Sequence, residues 1–316
     1  MGKYFKYAIG EILLVVIGIL IALQINNWNE KRKNEEKVNI LLLKIQKDLE
    51  SDINEVISLA RFYSRKDSLI NLVLNNKLTK EDYQSPSSGD LHYLVRNLLR
   101  INLRNNGYEN LMRVQDIIPQ KFDSIMAQLT VQYNDHFVYA EDAERSFMED
   151  FSYVDKYLFE NYEWKSDQSA FFENEERIDF YLNNIRYKGI VADYQSGAIK
   201  NYLRLNVDYA NTAMDTYRQI SELLDIDVSE TLKPFTRDSI LDGTFRTLFG
   251  DEIQFVTDGY REYAVGGGDT VDVFEYDRNK FYIQRGFMRI EQVNDSINMY
   301  STSFETGKKA LATRID

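Results

Sequence analysis

The 316-residue chain contains no cysteine, three prolines and two histidines. Without cysteine there is no disulfide, no thiolate nucleophile and no Cys-ligated zinc. That absence suits an oxidising compartment, where a stray thiol would mispair, and a reducing one tolerates it equally. The prolines, Pro86, Pro119 and Pro234, leave long stretches in which a helix can run unbroken. Bases are outnumbered by acids, 38 to 50, for a formal net charge of −12. Such a surface repels phosphate backbones, and the one basic cluster, Lys31-Arg32-Lys33, adjoins an oily segment; nucleic acid is excluded as a partner. No G-x-S-x-G, H-E-x-x-H or EF-hand loop occurs. The glycine cluster Gly266-Gly267-Gly268 is followed by Asp269, with neither a Lys-Ser/Thr pair nor a helix signal, and reads as a strand-linking turn.

What the chain does have is one long hydrophobic run. Tyr7 to Ile25 is 19 residues, roughly 28 Å as a helix and close to the thickness of a bilayer's hydrocarbon. The strictly apolar part, Ile12 to Leu23, also has the length of a signal-peptide core. No A-x-A site follows Ala22, however, and the aromatics Tyr4, Phe5, Tyr7 and Trp28 bracket the run as interfacial belts do. An uncleaved single-span anchor is expected. Lys3 and Lys6 precede it; Lys31, Arg32, Lys33 and Lys37 follow. The bare count favours a cytoplasmic C-terminal side. A long downstream domain translocates largely regardless of charge, so the expected arrangement is N-terminus in, bulk outside.

Two features of the span bear on function. Gly10, Leu14, Gly18 and Ala22 form a ridge at four-residue spacing, which lets helices approach closely in lipid; ordinary glycine usage in membrane helices would give the same pattern. Glu11 is an ionisable group at the edge of the span. It could handle protons, as single membrane acids of ion-driven subunits do. It could equally sit within a turn of the interface, snorkelling and favoured by the helix dipole, and its position near the end of the span favours that plainer role.

Beyond the span, Val38, Leu42, Ile45, Leu49 and Val56 keep helical steps, with Asp52 interrupting the stripe. The stripe is short of four clean heptads, so a bundle helix is expected over a coiled-coil stalk. Asp90 is expected to cap a helix carrying Leu91, Leu94, Val95 and Leu98, stopped at Asn105-Asn106-Gly107; a shorter helix follows over Tyr108–Ile118. One long helix is expected over Gln120–Tyr162 and further helix over Glu175–Leu224, with Gly189 and Gly197 marking a kink. After Pro234 the period changes to two. Runs at Thr244–Phe249, Glu252–Val256, Tyr260–Val265, Thr270–Tyr276, Lys280–Gln284, Phe287–Val293 and Ile297–Phe304, with Asp258-Gly259 as a hairpin signal, read as antiparallel strands of a meander or partly closed barrel whose edge could pair with a partner or cover the bundle. The fold class is therefore α+β, in three parts: an anchor over residues 1–29, a helical bundle over 30–232 and a β-module over 233–316.

Polar candidates are weak. Asp135 and His136 point about 100° apart on a helix and make no dyad; His92 is equally isolated. Glu141, Asp142, Glu144, Glu149, Asp150 and Asp155 read as a solvated face, since one helix cannot converge several oxygens on a cation. Asp225, Asp227 and Glu230 occupy a loop of better shape but lack the glycine and spacing of a calcium loop. Tyr133, Tyr139, Tyr153, Tyr157, Tyr162, Phe171 and Phe172 could line a groove, though aromatics at helical spacing are more often core. No cofactor is expected.

The stretch Tyr4-Phe5-Lys6-Tyr7-Ala8-Ile9-Gly10-Glu11-Ile12, continuing to Ile25-Asn26-Asn27-Trp28-Asn29-Glu30, resembles the opening "KYxxYAIGEIxLVVIGILIALxINxWNE" of a bacterial family of uncharacterised single-span membrane proteins. Gly107-Tyr108-Glu109-Asn110-Leu111 is similar more loosely. Members usually carry extra basic residues before the Lys-Tyr start, which this chain lacks. The resemblance implies a membrane anchor with an acid at Glu11 and brings no activity. The leading expectation is a non-enzymatic, membrane-anchored extracytoplasmic scaffold, sensor or partner-binding protein in a bacterial inner membrane, with the bilayer and a second copy or a membrane protein as partners. An ion-coupled subunit using Glu11 is the alternative, and a hydrolase with an illegible site is the third reading.

Overall fold

The computed structural model describes residues 2–166, 171–228, 239–257, 261–283, 286–303 and 307–316, with the side chains of residues 2–7 and 9 outside the description. Helix α1, Gly2–Leu74, is 73 residues long, about 110 Å at 1.5 Å per residue. No glycine or proline interrupts residues 19–74, so nothing forces a break. It ends where Asn76 takes a left-handed φ of 53°. There Lys77 N–H donates to Leu72 O (2.9 Å) and Asn76 N–H to Val73 O (3.1 Å), the paired bonds of a Schellman cap.

From Val38 onward one face of α1 is core: Val38, Leu42, Ile45, Leu49, Ile53, Val56, Tyr63 and Ile70 have no solvent exposure. The bundle expectation holds, because other helices cover this face. Helix α2 (Lys80–Gln84) and α3 (Gly89–His92) are short. The expected helix through Leu98 stops at His92, although Leu94 and Val95 are buried. Helix α4 is Asn106–Met112, so Asn105-Asn106-Gly107 starts a helix where a stop was expected. A Cβ on Gly107 would lie 2.9 Å from both Ile45 Cγ1 and Asp48 Oδ2; glycine lets α4 rest directly on α1.

The long helix expected over 120–162 is continuous but not uniform. A 3₁₀ turn, Gln120–Phe122, leads into α5 (Asp123–Thr130), a π-helical segment (Val131–His136) and α6 (Phe137–Asn161). The run expected over 175–224 is broken at a different place. Helix α7 (Glu175–Asn183) ends at Asn184, where ψ is 116°, and α8 (Ile185–Tyr194) begins. The Asn184 carboxamide oxygen accepts from Arg186 N–H (2.8 Å) and Tyr187 N–H (3.4 Å), an N-cap that makes the break. Gly189 lies inside α8. Gly197 lies in a second π-helical segment, Gln195–Leu203, which runs on into α9, Arg204–Leu224. Helix α9 lies antiparallel to α1: Tyr209 reaches Asp52, and Gln46 reaches Ser221.

The C-terminal strands are β1 (Thr244–Thr247), β2 (Glu252–Thr257), β3 (Glu262–Gly266), β4 (Asp269–Asp277), β5 (Lys280–Ile283), β6 (Gly286–Val293), β7 (Ser296–Ser301) and β8 (Ala310–Arg314). Each pairs antiparallel with the next, and β8 closes on β1, Phe245 opposite Arg314. Seven strands match runs legible in the sequence; the eighth, which shuts the barrel, does not. Closure leaves no edge to pair with a partner. The Gly266–Gly268 cluster is a strand-linking turn, with φ of 61° at Gly267 and 90° at Gly268. The expected Asp258-Gly259 hairpin lies outside the described residues.

Alternation sorts the barrel's side chains. Phe245, Phe255, Ala264, Val273, Phe281, Ile290, Met299 and Ala312 fill the interior. Phe274, Tyr276, Tyr282 and Phe287 join the helical core. Arg61 Nε donates to Tyr276 O (2.9 Å) and Tyr282 Oη to Ile199 O (2.7 Å). Arg261 pairs with Asp215 of α9 at 2.7 Å and with Asp272 of β4.

Two glycines should respond oppositely to alanine. Gly107→Ala should cost about 1–3 kcal/mol through overpacking. Gly189→Ala, where a Cβ meets nothing within 4 Å, should add about 0.5–1 kcal/mol by raising helix propensity. Urea unfolding of the detergent-solubilised chain measures both; equal signs would contradict this packing.

Candidate functional site

The candidate site is the N-terminal third of α1 and its attachment to the body. Apolar side chains from Ile12 to Ile25 are 44–73% exposed. The helix is long and apolar enough over this stretch to cross a membrane. Gly10, Leu14, Gly18 and Ala22 are all exposed, and a Cβ on Gly10 or Gly18 would meet nothing within 4 Å. The ridge is therefore present and uncovered within the chain. Glu11 is exposed, and no described residue bonds to it or pairs with it. Trp28 is 65% exposed, with the Arg32 guanidinium 5.7 Å from its ring centre. Asn26 Nδ2 donates to Glu30 Oε1 at 3.1 Å. Tyr4 and Tyr7, the other expected interface anchors, have side chains outside the described residues.

Within the body, three charged side chains occupy positions on the buried face of α1. Asp52 is wholly buried. It accepts from Arg104 Nη1 (2.6 Å), Arg104 N–H (3.0 Å) and Tyr209 Oη (2.7 Å); Arg104 also reaches Glu55 at 2.7 Å. Burial pushes the Asp52 carboxyl up to about 6 against the pull of these donors. The residue that interrupts the apolar stripe is thus a polar tie between α1, the 100–104 segment and α9.

Lys66 is also buried, its ammonium bonded to Leu94 O and 4.9 Å from the Tyr194 ring. Desolvation brings it down to about 7. Beside it Asp67, raised by burial, accepts from Gln195 Nε2 (2.8 Å), Asn71 Nδ2 (3.2 Å) and the Thr302 hydroxyl of the barrel. The pair Lys66-Asp67 fills the gap between Tyr63 and Ile70, and two adjacent charges at core positions were the overlooked sequence signal. Asp52 and Lys66 are 14 residues apart, roughly 21 Å along the helix, so they form no acid–base couple. In the barrel, burial pushes Glu275 up to about 7 while it accepts from Asn279 N–H at 2.9 Å.

The remaining candidates do not converge. His92 is buried, bonded through Nε2 to Tyr83 O (2.8 Å) and ringed by Phe171, Phe172 and Tyr181; burial lowers its pKa. Asp135 is exposed and His136 half-buried in the π segment. The acidic stretch on α6 is an outer face, with Glu144 paired to Arg100 and Asp155 to Lys165. Asp225 is the left-handed cap of α9, Asp227 is exposed, and Glu230 lies outside the described residues. Tyr133 is core, Tyr139 and Tyr153 are exposed, and Tyr157, Tyr162, Phe171 and Phe172 are half-buried, so the aromatic set lines no common groove. Among the described residues no three His, Asp or Glu side chains are grouped to hold a metal ion.

Residues 11–88 match a family described as a family of unknown function (DUF6090). The matched stretch holds the apolar segment, the buried spine of α1 and α2, and ends before the barrel. No curated protein and no solved structure matches the chain.

The two buried charges make distinguishable outcomes. Asp52→Ala strands the Arg104 and Tyr209 donors and should cost roughly 3 kcal/mol. Lys66 has a folded pKa near 7, below its ordinary 10.5. Its burial penalty is therefore full below pH 7 and is relieved as pH rises from about 7 to 10.5. Lys66→Met should remove that rise in stability from the pH dependence of the urea midpoint; an unchanged slope would contradict a charged, desolvated Lys66.

Proposed function

We propose that this protein is a single-span anchored scaffold or sensor of a bacterial inner membrane, carrying its helical body and barrel on the periplasmic side and binding a partner without catalysis. The observation that carries the reading is α1 itself. One uninterrupted helix has an uncovered apolar surface from Ile12 to Ile25 and, from Val38 onward, a buried apolar stripe on one face. The first surface calls for lipid, and the second is the spine of the body. Trp28 and Arg32 stand between them, at the depth where aromatic and basic side chains gather at an interface.

The ridge Gly10, Leu14, Gly18, Ala22 supports pairing within the bilayer, with a second copy or another membrane protein. The similarity over residues 11–88 supports a unit made of span and spine. The absence of cysteine suits an oxidising space. The large body after the span, of a kind that translocates largely regardless of charge, supports N-terminus in, against the bare count of cations. Glu11 stands at the start of the apolar run without a described partner, which supports an interfacial role over proton transfer.

Membranes washed at alkaline pH should retain the full-length chain, and deletion of residues 2–28 should release it. Alkaline phosphatase fused after Asp316 should be active and a fluorescent protein fused there dark. Glu11→Gln should leave insertion and assembly unchanged. Release of the intact chain by the wash would overturn the anchor. A bright fluorescent fusion would overturn the sidedness.

A further inference from the structure

At the end of α1 furthest from the apolar segment lies a cavity of about 340 Å³. Its floor is Val73, Tyr83 and Tyr181, each almost fully buried. Its polar wall includes Asn76, Asn183 and Lys188. The volume is that of a small-molecule site, and the mix of apolar floor and few polar groups is the usual one. Along α1 it stands roughly 70 Å beyond Trp28.

Its charge sets it apart from the rest of the molecule. The chain has 50 acids against 38 bases, yet no acid lines this cavity; the flanking carboxylates Asp82 and Asp179 are held by Thr79 (2.7 Å) and Asn183 (2.7 Å). The nearby Lys80 is neutralised by Glu175 at 2.7 Å. The Lys188 ammonium bonds only the Asn76 carboxamide oxygen, and among the described residues no carboxylate pairs with it. A cation beside the carboxyl end of α1 complements the helix dipole. That structural role explains the ammonium but not the cavity before it or the exclusion of acids from its lining.

We propose that this cavity binds a small organic carboxylate, its charge on Lys188, its polar edge against Asn76 and Asn183, and its apolar or aromatic part over Tyr83 and Tyr181. A single ammonium with neutral amides matches a monoanion. Phosphate would call for several cations or a cluster of backbone N–H groups. The inference gives the sensing reading a ligand class and rests on that reading. The site is joined to the apolar segment by one continuous helix.

The test uses the full-length chain in lipid nanodiscs and benzoate as the probe, followed by saturation-transfer NMR, with uncharged benzyl alcohol and inorganic phosphate as comparisons. Benzoate should bind saturably below about 10 mM and benzyl alcohol about tenfold more weakly. Lys188→Gln should weaken benzoate about tenfold and leave benzyl alcohol unchanged, while Lys188→Arg should keep benzoate within about threefold. Matching unfolding midpoints show that the variants remain folded. No saturable benzoate binding, equal binding by Lys188→Gln, or displacement of benzoate by phosphate at lower concentration would each overturn the proposal. These outcomes depend on Lys188, whereas failure of the anchor appears as release by alkaline washing, so the two claims fail separately.

Discussion

The structure depends on one constraint: a single helix carries an uncovered apolar surface at one end and a packed one at the other. Over Ile12–Leu23 the side chains of α1 are apolar all round, and the described residues of the rest of the chain leave them exposed. Over Val38–Val73 most apolar side chains lie on one stripe, which α4, α8, α9 and the π segment at Gln195–Leu203 cover, while Ile40 and Leu43 remain exposed. The transition takes about a dozen residues rich in Lys, Glu, Asn and Arg, which neither face requires to be buried. Because no glycine or proline falls there, the helix passes through without a break.

The body reinforces this spine with polar ties at intervals. Gln46 reaches Ser221 at 2.6 Å, Asp52 gathers Arg104 and Tyr209, and Asp67 gathers Gln195 and the barrel's Thr302. A buried charge gives little net stability against an apolar replacement. It does fix register, because each of these groups can be satisfied only at one height along α1. The barrel is docked in the same manner. Its interior is an apolar core of its own, while Tyr276 and Tyr282 turn their polar atoms to Arg61, Ser64 and Ile199.

Much of this was legible in the sequence because periodicity is a local signal. The apolar run, the stripe of α1, the 120–162 helix and seven of the strands each announce themselves by spacing. What was illegible depends on partners distant in sequence. Asn184 breaks the 175–224 run through a cap bond that competes with helix continuation. Gly107 starts α4 because α1 lies against it. The π segments cannot be told from α-helix by composition, since Gln132 and Gln195 reveal themselves only through Tyr209 O and Asp67. The closing strand, Ala310–Arg314, is short and mixed in character, and its role is set by β1 and β7. Asp52 was visible as an interruption of the stripe, but its meaning needed Arg104 from 52 residues away. Lys188 is one lysine among many until the fold shows that its cavity contains no acid.

The central claim is that α1 passes rigidly from the bilayer into the body. The chain has no cysteine, so spin labels can be placed without removing native thiols. Gln24 and Lys47 are both exposed positions on α1, 23 residues apart and therefore about 35 Å along an unbroken helix. Pulsed electron–electron double resonance on the Gln24→Cys, Lys47→Cys chain in nanodiscs should give one narrow distribution at about that distance. A broad distribution, or one centred well short of it, would show a hinge between membrane and body and contradict the account.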